Sequence, residues 1–364
     1  MAQLSERMRA LVQPHLADIE PYDPAFSPCK INLSANENTY PLPAGVREAI
    51  DSALAATPLN RYPDPMANEL RDELASRHGL ARENVCVGNG GDELLFNFLL
   101  AFGGPGRTLV TCPPDFSEYG FFASLVQTES VRVFRDAETF ALDEQALLAA
   151  ARNAAMVILT SPNNPTGNLV PLDFVERVCA ACPGIVMVDE AYGEFAPAGS
   201  SAEVLLARCP NLVVLHTLSK AFGEAGIRLG YVLAAADIID VFAAVRQIYS
   251  VNVLTQAAAL AAVRARDAYR PCVEAICAER ERLAAALGAL EGVRVWPSAA
   301  NFLLVRLPHA AEVRRRLRDD YSILVRDFSS APGLAECLRL TVGTPEENDA
   351  LVCALSELTR KEGR

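Results

Sequence analysis

The chain has 364 residues, about half of them apolar, with 33 basic and 45 acidic side chains and a formal charge of −12. That length allows a sizeable core divided between two packed domains. The acidic balance, with no long run of one sign, disfavours nucleic acid and anionic membrane as partners, so an anionic substrate would have to be met by local arginines.

Met1 to Asp23 mixes Glu6, Arg7, Arg9, Asp18 and Glu20 with its apolar residues, which leaves no signal-peptide core. No apolar run reaches the roughly 20 residues of a membrane-spanning helix, and a cytoplasmic protein is expected. The first 40 or so residues, with Pro14, Pro21, Pro24 and Pro28, read as irregular after an initial helix. Segment 1–44 is expected to pack on a second domain or on a neighbouring subunit.

From about residue 45 to 235, helical periodicity alternates with short apolar runs, which predicts an α/β fold with a largely parallel sheet. Val85–Val87, Thr108–Thr111, Met156–Leu159, Ile185–Val188 and Leu212–Leu215 are β-branched and apolar, as strands covered on both faces should be. After about residue 237 come long helical stretches, including Val273 to Leu290, then a strand at Asn301 to Val305. The expected division is a large domain over 45–245 and a smaller α+β domain over 246–364.

Ten cysteines scattered through apolar or helical segments read as reduced thiols. Cys179 and Cys182 have C-x-x-C spacing but no further ligand pair at zinc-site spacing, so packing is the expected role and no metal is expected.

In open α/β sheets, chemistry collects beyond the carboxyl ends of the strands. Lys220 follows the strand at Leu212 to Leu215, and a desolvated amine there can form a Schiff base; a lone lysine would otherwise read as a solvated charge. Asp189 ends another buried strand, where an unpaired carboxylate is costly. A helix cap would satisfy it; so would a pyridinium nitrogen, which the carboxylate would keep protonated. The turn Ser161-Pro162-Asn163-Asn164-Pro165-Thr166-Gly167 can present the Asn164 amide to a ring oxygen, with Tyr192 as a second donor. Gly88-Asn89-Gly90-Gly91-Asp92-Glu93 opens a helix whose Gly91 and Asp92 N–H groups can face an anion, with Ser219 and Arg228 completing the site. A dinucleotide fingerprint is the competing reading, but Glu93 stands where it requires its last glycine.

Asn-Pro-Thr-Gly, Asp-Glu-Ala-Tyr and Ser-Lys-Ala-Phe, followed by Gly226-Ile227-Arg228-Leu229-Gly230, resemble in order and spacing the class I and II aminotransferases, from roughly Asn32 to the C-terminus. The resemblance implies the aspartate-aminotransferase fold (type I of the pyridoxal-phosphate enzymes, with a seven-stranded, mostly parallel sheet), bound pyridoxal 5'-phosphate and a homodimer with active sites at the interface. Under it, Lys220 carries the cofactor, Phe116 stacks on the ring, Tyr62 in Asn60-Arg61-Tyr62-Pro63 reaches the phosphate of the other subunit, and Arg339 grips a substrate carboxylate.

Leu33 to Asn38, Asn60 to Pro63, Ile323 to Asp327 and Leu340 to Asn348 resemble the histidinol-phosphate branch of that family. This implies L-histidinol phosphate and 2-oxoglutarate as small-molecule substrates and ping-pong kinetics, with Arg326 and Tyr40 helping to bind the substrate phosphate. Asn38-Thr39-Tyr40-Pro41-Leu42-Pro43 departs from the commoner run there. Gly88 to Glu93 and Phe116 to Gly120 resemble instead a threonine-phosphate decarboxylase, and an aromatic amino-acid aminotransferase is a third reading. A cofactor-sensing regulatory domain would keep Lys220 and Asp189 without turnover, but no basic recognition helix is evident.

Overall fold

The structure is a computed structural model that describes residues 4–17 and 27–362; Pro21 and Pro24 lie outside the described residues. Twelve strands are found among them: β1 Ile31–Leu33, β2 Val85–Asn89, β3 Thr108–Thr111, β4 Glu129–Arg132, β5 Met156–Thr160, β6 Ile185–Asp189, β7 Leu212–Thr217, β8 Leu229–Ala234, β9 Arg294–Val295, β10 Phe302–Arg306, β11 Ile323–Asp327 and β12 Cys337–Thr341.

The larger sheet has the order β2-β8-β7-β6-β5-β3-β4. Only β8 runs against its neighbours, pairing antiparallel with both β2 and β7. Every residue of β5, β7 and β8 is buried, which is why these segments are largely apolar. Edge strand β4, Glu-Ser-Val-Arg, is exposed at both ends and carries no such signal. β5 and β6 end level at Thr160 and Asp189, with β7 running two residues further to Thr217, so the loops that follow these parallel strands converge on one side of the sheet.

The smaller sheet has the order β1-β11-β12-β10-β9. The irregular stretch expected near the N-terminus therefore needs correction. Ile31 to Leu33 form a strand parallel to β11, and three residues are too few to show a period. Earlier in the chain, the turn Pro14–Leu16 rests on the larger layer, with His15 Nε2 3.2 Å from the Leu125 carbonyl.

One apolar core is continuous between the layers, running from Val157, Val188 and Val214 to Leu303, Val305 and Leu340. The helix Val253–Arg264 is capped by Asn252, whose Oδ1 accepts from the Leu254 and Thr255 amides at 3.0 Å each. Its buried Ala258, Ala259 and Ala262 allow close packing on the helices Ala44–Ala56 and Asn68–Arg77 of the larger layer. None of the described helices is long and apolar enough to cross a membrane.

Candidate active site

The loops after β5, β6 and β7 enclose a cavity of about 470 Å³ whose wall brings together Asn164, Asp189, Tyr192, Ser219, Lys220 and Arg228. At its floor Asp189, 5 % exposed, accepts from the Tyr119 hydroxyl at 2.6 Å and from the Ala191 amide at 3.0 Å. Burial pushes the Asp189 carboxyl upward, against these two donors and the Lys220 ammonium. A cationic group arriving in the cavity would relieve that cost by favouring the ionised carboxylate.

Lys220 Nζ donates to the Ala35 carbonyl at 2.9 Å and lies 5.9 Å from the centre of the Tyr192 ring. The Tyr192 hydroxyl accepts from Asn36 Nδ2 at 2.9 Å, and its ring meets Phe302 edge-on. Asn164 Oδ1 accepts from Arg339 Nη1 at 2.6 Å. That contact holds the oxygen and fixes which way the Asn164 amide can point, as a donor role requires.

Another part of the wall could receive an anion. Gly91 begins the helix Gly91–Phe102, which has no side-chain cap, so its first N–H groups need an outside acceptor. Gly90 has a φ of +84°, and a Cβ there would lie 2.4 Å from Arg228 Nη2; one on Gly230 would lie 2.7 Å from the Gly90 carbonyl carbon and from the Gly91 nitrogen. The first glycine leaves room for the guanidinium at the helix start, and the second lets β8 pass close to the backbone there. Arg228 itself is left-handed, with φ of +59°, and its Nη2 pairs with Asp92 Oδ2 at 3.0 Å. Because β2 is an edge strand beside antiparallel β8, these glycines do not join a parallel β-α-β unit, which removes the dinucleotide alternative.

A second cationic region comes from the smaller sheet, where Arg326 and Arg339 sit opposite each other on β11 and β12 and both line the cavity. Arg339, 7 % exposed, lies between the rings of Phe302 and Phe328, 5.5 Å from each, and gives Nη2 to the Ser34 carbonyl at 2.5 Å.

Gly91, Asp92 and Phe116 also line the cavity, the last edge-on to Tyr119. Two expected residues do not. Tyr40 packs against the main core, and burial, with the neighbouring carboxylates of Glu279, Glu346 and Glu347 added to it, opposes its ionisation. Such acidic surroundings are poor for a phosphate. Tyr62, 80 % exposed, stacks on Tyr249 outside the cavity of its own chain.

Sequence reasoning missed Tyr119 and Asn36 as partners of Asp189 and Tyr192. Both lie in segments whose motifs were visible, Phe116 to Gly120 and Leu33 to Asn38, but their contacts cross 70 and 156 residues of chain.

The family model for class I and II aminotransferases matches residues 28–355. A histidinol-phosphate aminotransferase of Carboxydothermus hydrogenoformans is 39 % identical over 94 % of this chain and 97 % of its own. The solved histidinol-phosphate aminotransferase of Sinorhizobium meliloti, in complex with pyridoxal-5'-phosphate, superposes with a TM-score of 0.87 at 28 % identity, over 96 % of this chain and 98 % of its own. An L-threonine-O-3-phosphate decarboxylase from Porphyromonas gingivalis superposes at 0.78 with 27 % identity, over 91 % and 99 %.

Proposed function

The chain belongs to the class I and class II aminotransferase family, and from that premise we propose that it moves the amino group of L-histidinol phosphate to 2-oxoglutarate, giving imidazole-acetol phosphate and L-glutamate in histidine biosynthesis. The observation that carries this reading is the pair Arg326 and Arg339, cross-strand neighbours on the wall that also holds Lys220 and Asp189. Two guanidinium forks suit a phosphate ester in one half-reaction and the distal carboxylate of 2-oxoglutarate in the other. The activity of relatives over almost their whole length supports the same choice.

The residues present fit pyridoxal 5'-phosphate. A buried carboxylate held by neutral donors suits a pyridinium nitrogen, and the glycine-lined helix start with Arg228 suits a phosphate. Gly91, Asp92, Ser219 and Arg228 would hold that phosphate, Asp189 the ring nitrogen, Asn164 and Tyr192 the ring oxygen, and Phe116 one ring face. When bound, the group supplies an electron sink for the pair left on the substrate carbon.

Lys220 would hold the cofactor, and its amine, once freed, would take the proton from the substrate Cα as base and give it back as acid. Tyr192, its hydroxyl positioned by Asn36, would donate with Asn164 to the ring oxygen. Arg326 and Arg339 fix the far end of the substrate, so that the Cα–H is presented to Lys220 and not to water. The site would be completed by Tyr62 of a second copy in a cytoplasmic homodimer. The division into 45–245 and 246–364 is kept as part of this proposal, with the helix Val253–Arg264 packed across it.

The test is an absorbance scan of purified protein before and after L-histidinol phosphate, without keto acid. Bleaching of the visible cofactor band with release of one equivalent of imidazole-acetol phosphate is expected. The likeness to a threonine-phosphate decarboxylase gives the second reading; carbon dioxide released from threonine phosphate, with no response to L-histidinol phosphate, would establish it instead.

A further inference from the structure

Residues Ser34 to Glu37 lie across the cavity as a strap pinned at successive points. The Ser34 carbonyl accepts from Arg339 at 2.5 Å, the Ala35 carbonyl from Lys220 at 2.9 Å, and Asn36 Nδ2 reaches the Tyr192 hydroxyl at 2.9 Å. The Asn36 backbone is fixed too, its N–H bonded to Thr341 Oγ1 at 3.0 Å and its carbonyl to Asn301 Nδ2 at 2.9 Å. The strap thus runs from the arginine pair past the lysine and ends at Glu37, which is exposed and lines both the main cavity and an adjoining polar cleft of about 420 Å³.

Four carboxylates line the main cavity: Glu37, Asp92, Asp115 and Asp189. Asp92 is paired with Arg228, Asp115 accepts from the Cys112 amide at 2.9 Å within its own turn, and Asp189 is held by Tyr119 and Ala191. The Glu37 carboxylate has no partner among the described residues. The substrate cavity is therefore electrically polar along the strap, with two cations at one end and an uncommitted anion at the other.

Resting on the substrate reading above, we propose that Glu37 is a specificity-determining residue, accepting a hydrogen bond from the basic heteroaromatic ring of a substrate whose phosphate is held by Arg326 and Arg339. A molecule with an anionic group at one end, a basic ring at the other and the reacting amine between them matches that order of charges. 2-Oxoglutarate and glutamate, which carry carboxylates only, gain nothing from Glu37 and are mildly repelled by it.

The test is E37Q holoenzyme, near-isosteric and checked for an unchanged cofactor absorbance band, in single half-reactions with L-histidinol phosphate and with glutamate as amino donor. Loss of one charge-assisted hydrogen bond predicts a fall of about 10-fold or more in the second-order rate constant with L-histidinol phosphate. The glutamate half-reaction should hold its rate or gain about twofold, from relief of like-charge repulsion across a screened mouth. An equal loss with both donors would assign Glu37 a structural role, and an undiminished rate with L-histidinol phosphate would make it a surface charge; either overturns the proposal. Wild-type protein that does not react with L-histidinol phosphate at all would sink the substrate reading first, and this inference with it.

Discussion

Arg339 serves two partners at once, directing Asn164 through one N–H and anchoring the strap at Ser34 through another. Arg339→Lys keeps the charge but loses the planar fork, so kcat/KM for both amino donors should fall about 100-fold, the cost of two charge-assisted bonds, in steady-state assays. Lys220→Ala should abolish turnover and the visible cofactor band together; normal transamination by a pure sample would remove Lys220 from the mechanism. Gly90→Ala puts a methyl against the Arg228 guanidinium at a left-handed backbone position, so cofactor affinity should drop about 10-fold or more in equilibrium dialysis, with the fold intact by circular dichroism. Lys220, Asp189 and Arg228 were legible because each follows or ends a recognisable buried strand or sits in a glycine-marked turn. Tyr119 was not, since nothing local in Phe116 to Gly120 says that its hydroxyl meets a carboxylate two strands away.

The central strands could be read from their apolar runs, yet one of them hides a polar feature. His216 on β7 is 6 % exposed and stacks on Tyr231 of β8 and on His78, with its Nε2 3.7 Å from the Glu190 carboxyl just past β6. Burial pushes His216 down to about 3 and Glu190 up to about 8, so both are neutral at neutral pH. For His216 the folded value lies below the ordinary 6.5, so the unfolded chain takes up a proton first as pH falls. Stability is lost from about pH 6.5 down to about 3, by about 2 kcal/mol at pH 5. Glu190 acts oppositely, its contribution being full below the ordinary 4.5 and lost as pH rises through about 8. His216→Phe should therefore lose less stability than the native chain between pH 7 and pH 5 in urea unfolding; an equal loss would show that His216 titrates freely. The hydrophobic period of Leu212 to Leu215 gave no hint of this cluster, because it is assembled by strand pairing and by His78 at the end of a distant helix.

A single chain leaves part of its surface unexplained. Leu59, Tyr62, Ile248 and Leu254 are 74, 80, 67 and 41 % exposed, and Tyr62 stacks on Tyr249 away from its own cavity. These side chains, Leu254 on the helix Val253–Arg264, Ile248 just before it, and Leu59 and Tyr62 beyond the helix Ala44–Ala56, are costly to leave in water and suit a second copy of the chain. Sequence periodicity could not reveal this, since an interface strand or helix reads like any other; only the Asn60 to Pro63 resemblance pointed there. If Tyr62 serves the partner's phosphate site, the two chains can be made to repair each other. Lys220→Ala has no base, and Tyr62→Phe loses a hydrogen bond to an anion, for a fall of about 10-fold or more. In a mixed dimer, one site combines the intact Lys220 of one chain with the intact Tyr62 of the other. After subunit exchange, the mixture should be several-fold more active than the mean of its parents, and Ile248→Asp in both chains should abolish the gain by shifting sedimentation to monomer. Were Tyr62 to act within its own chain, mixing would pair a dead site with an impaired one and no activity would be recovered.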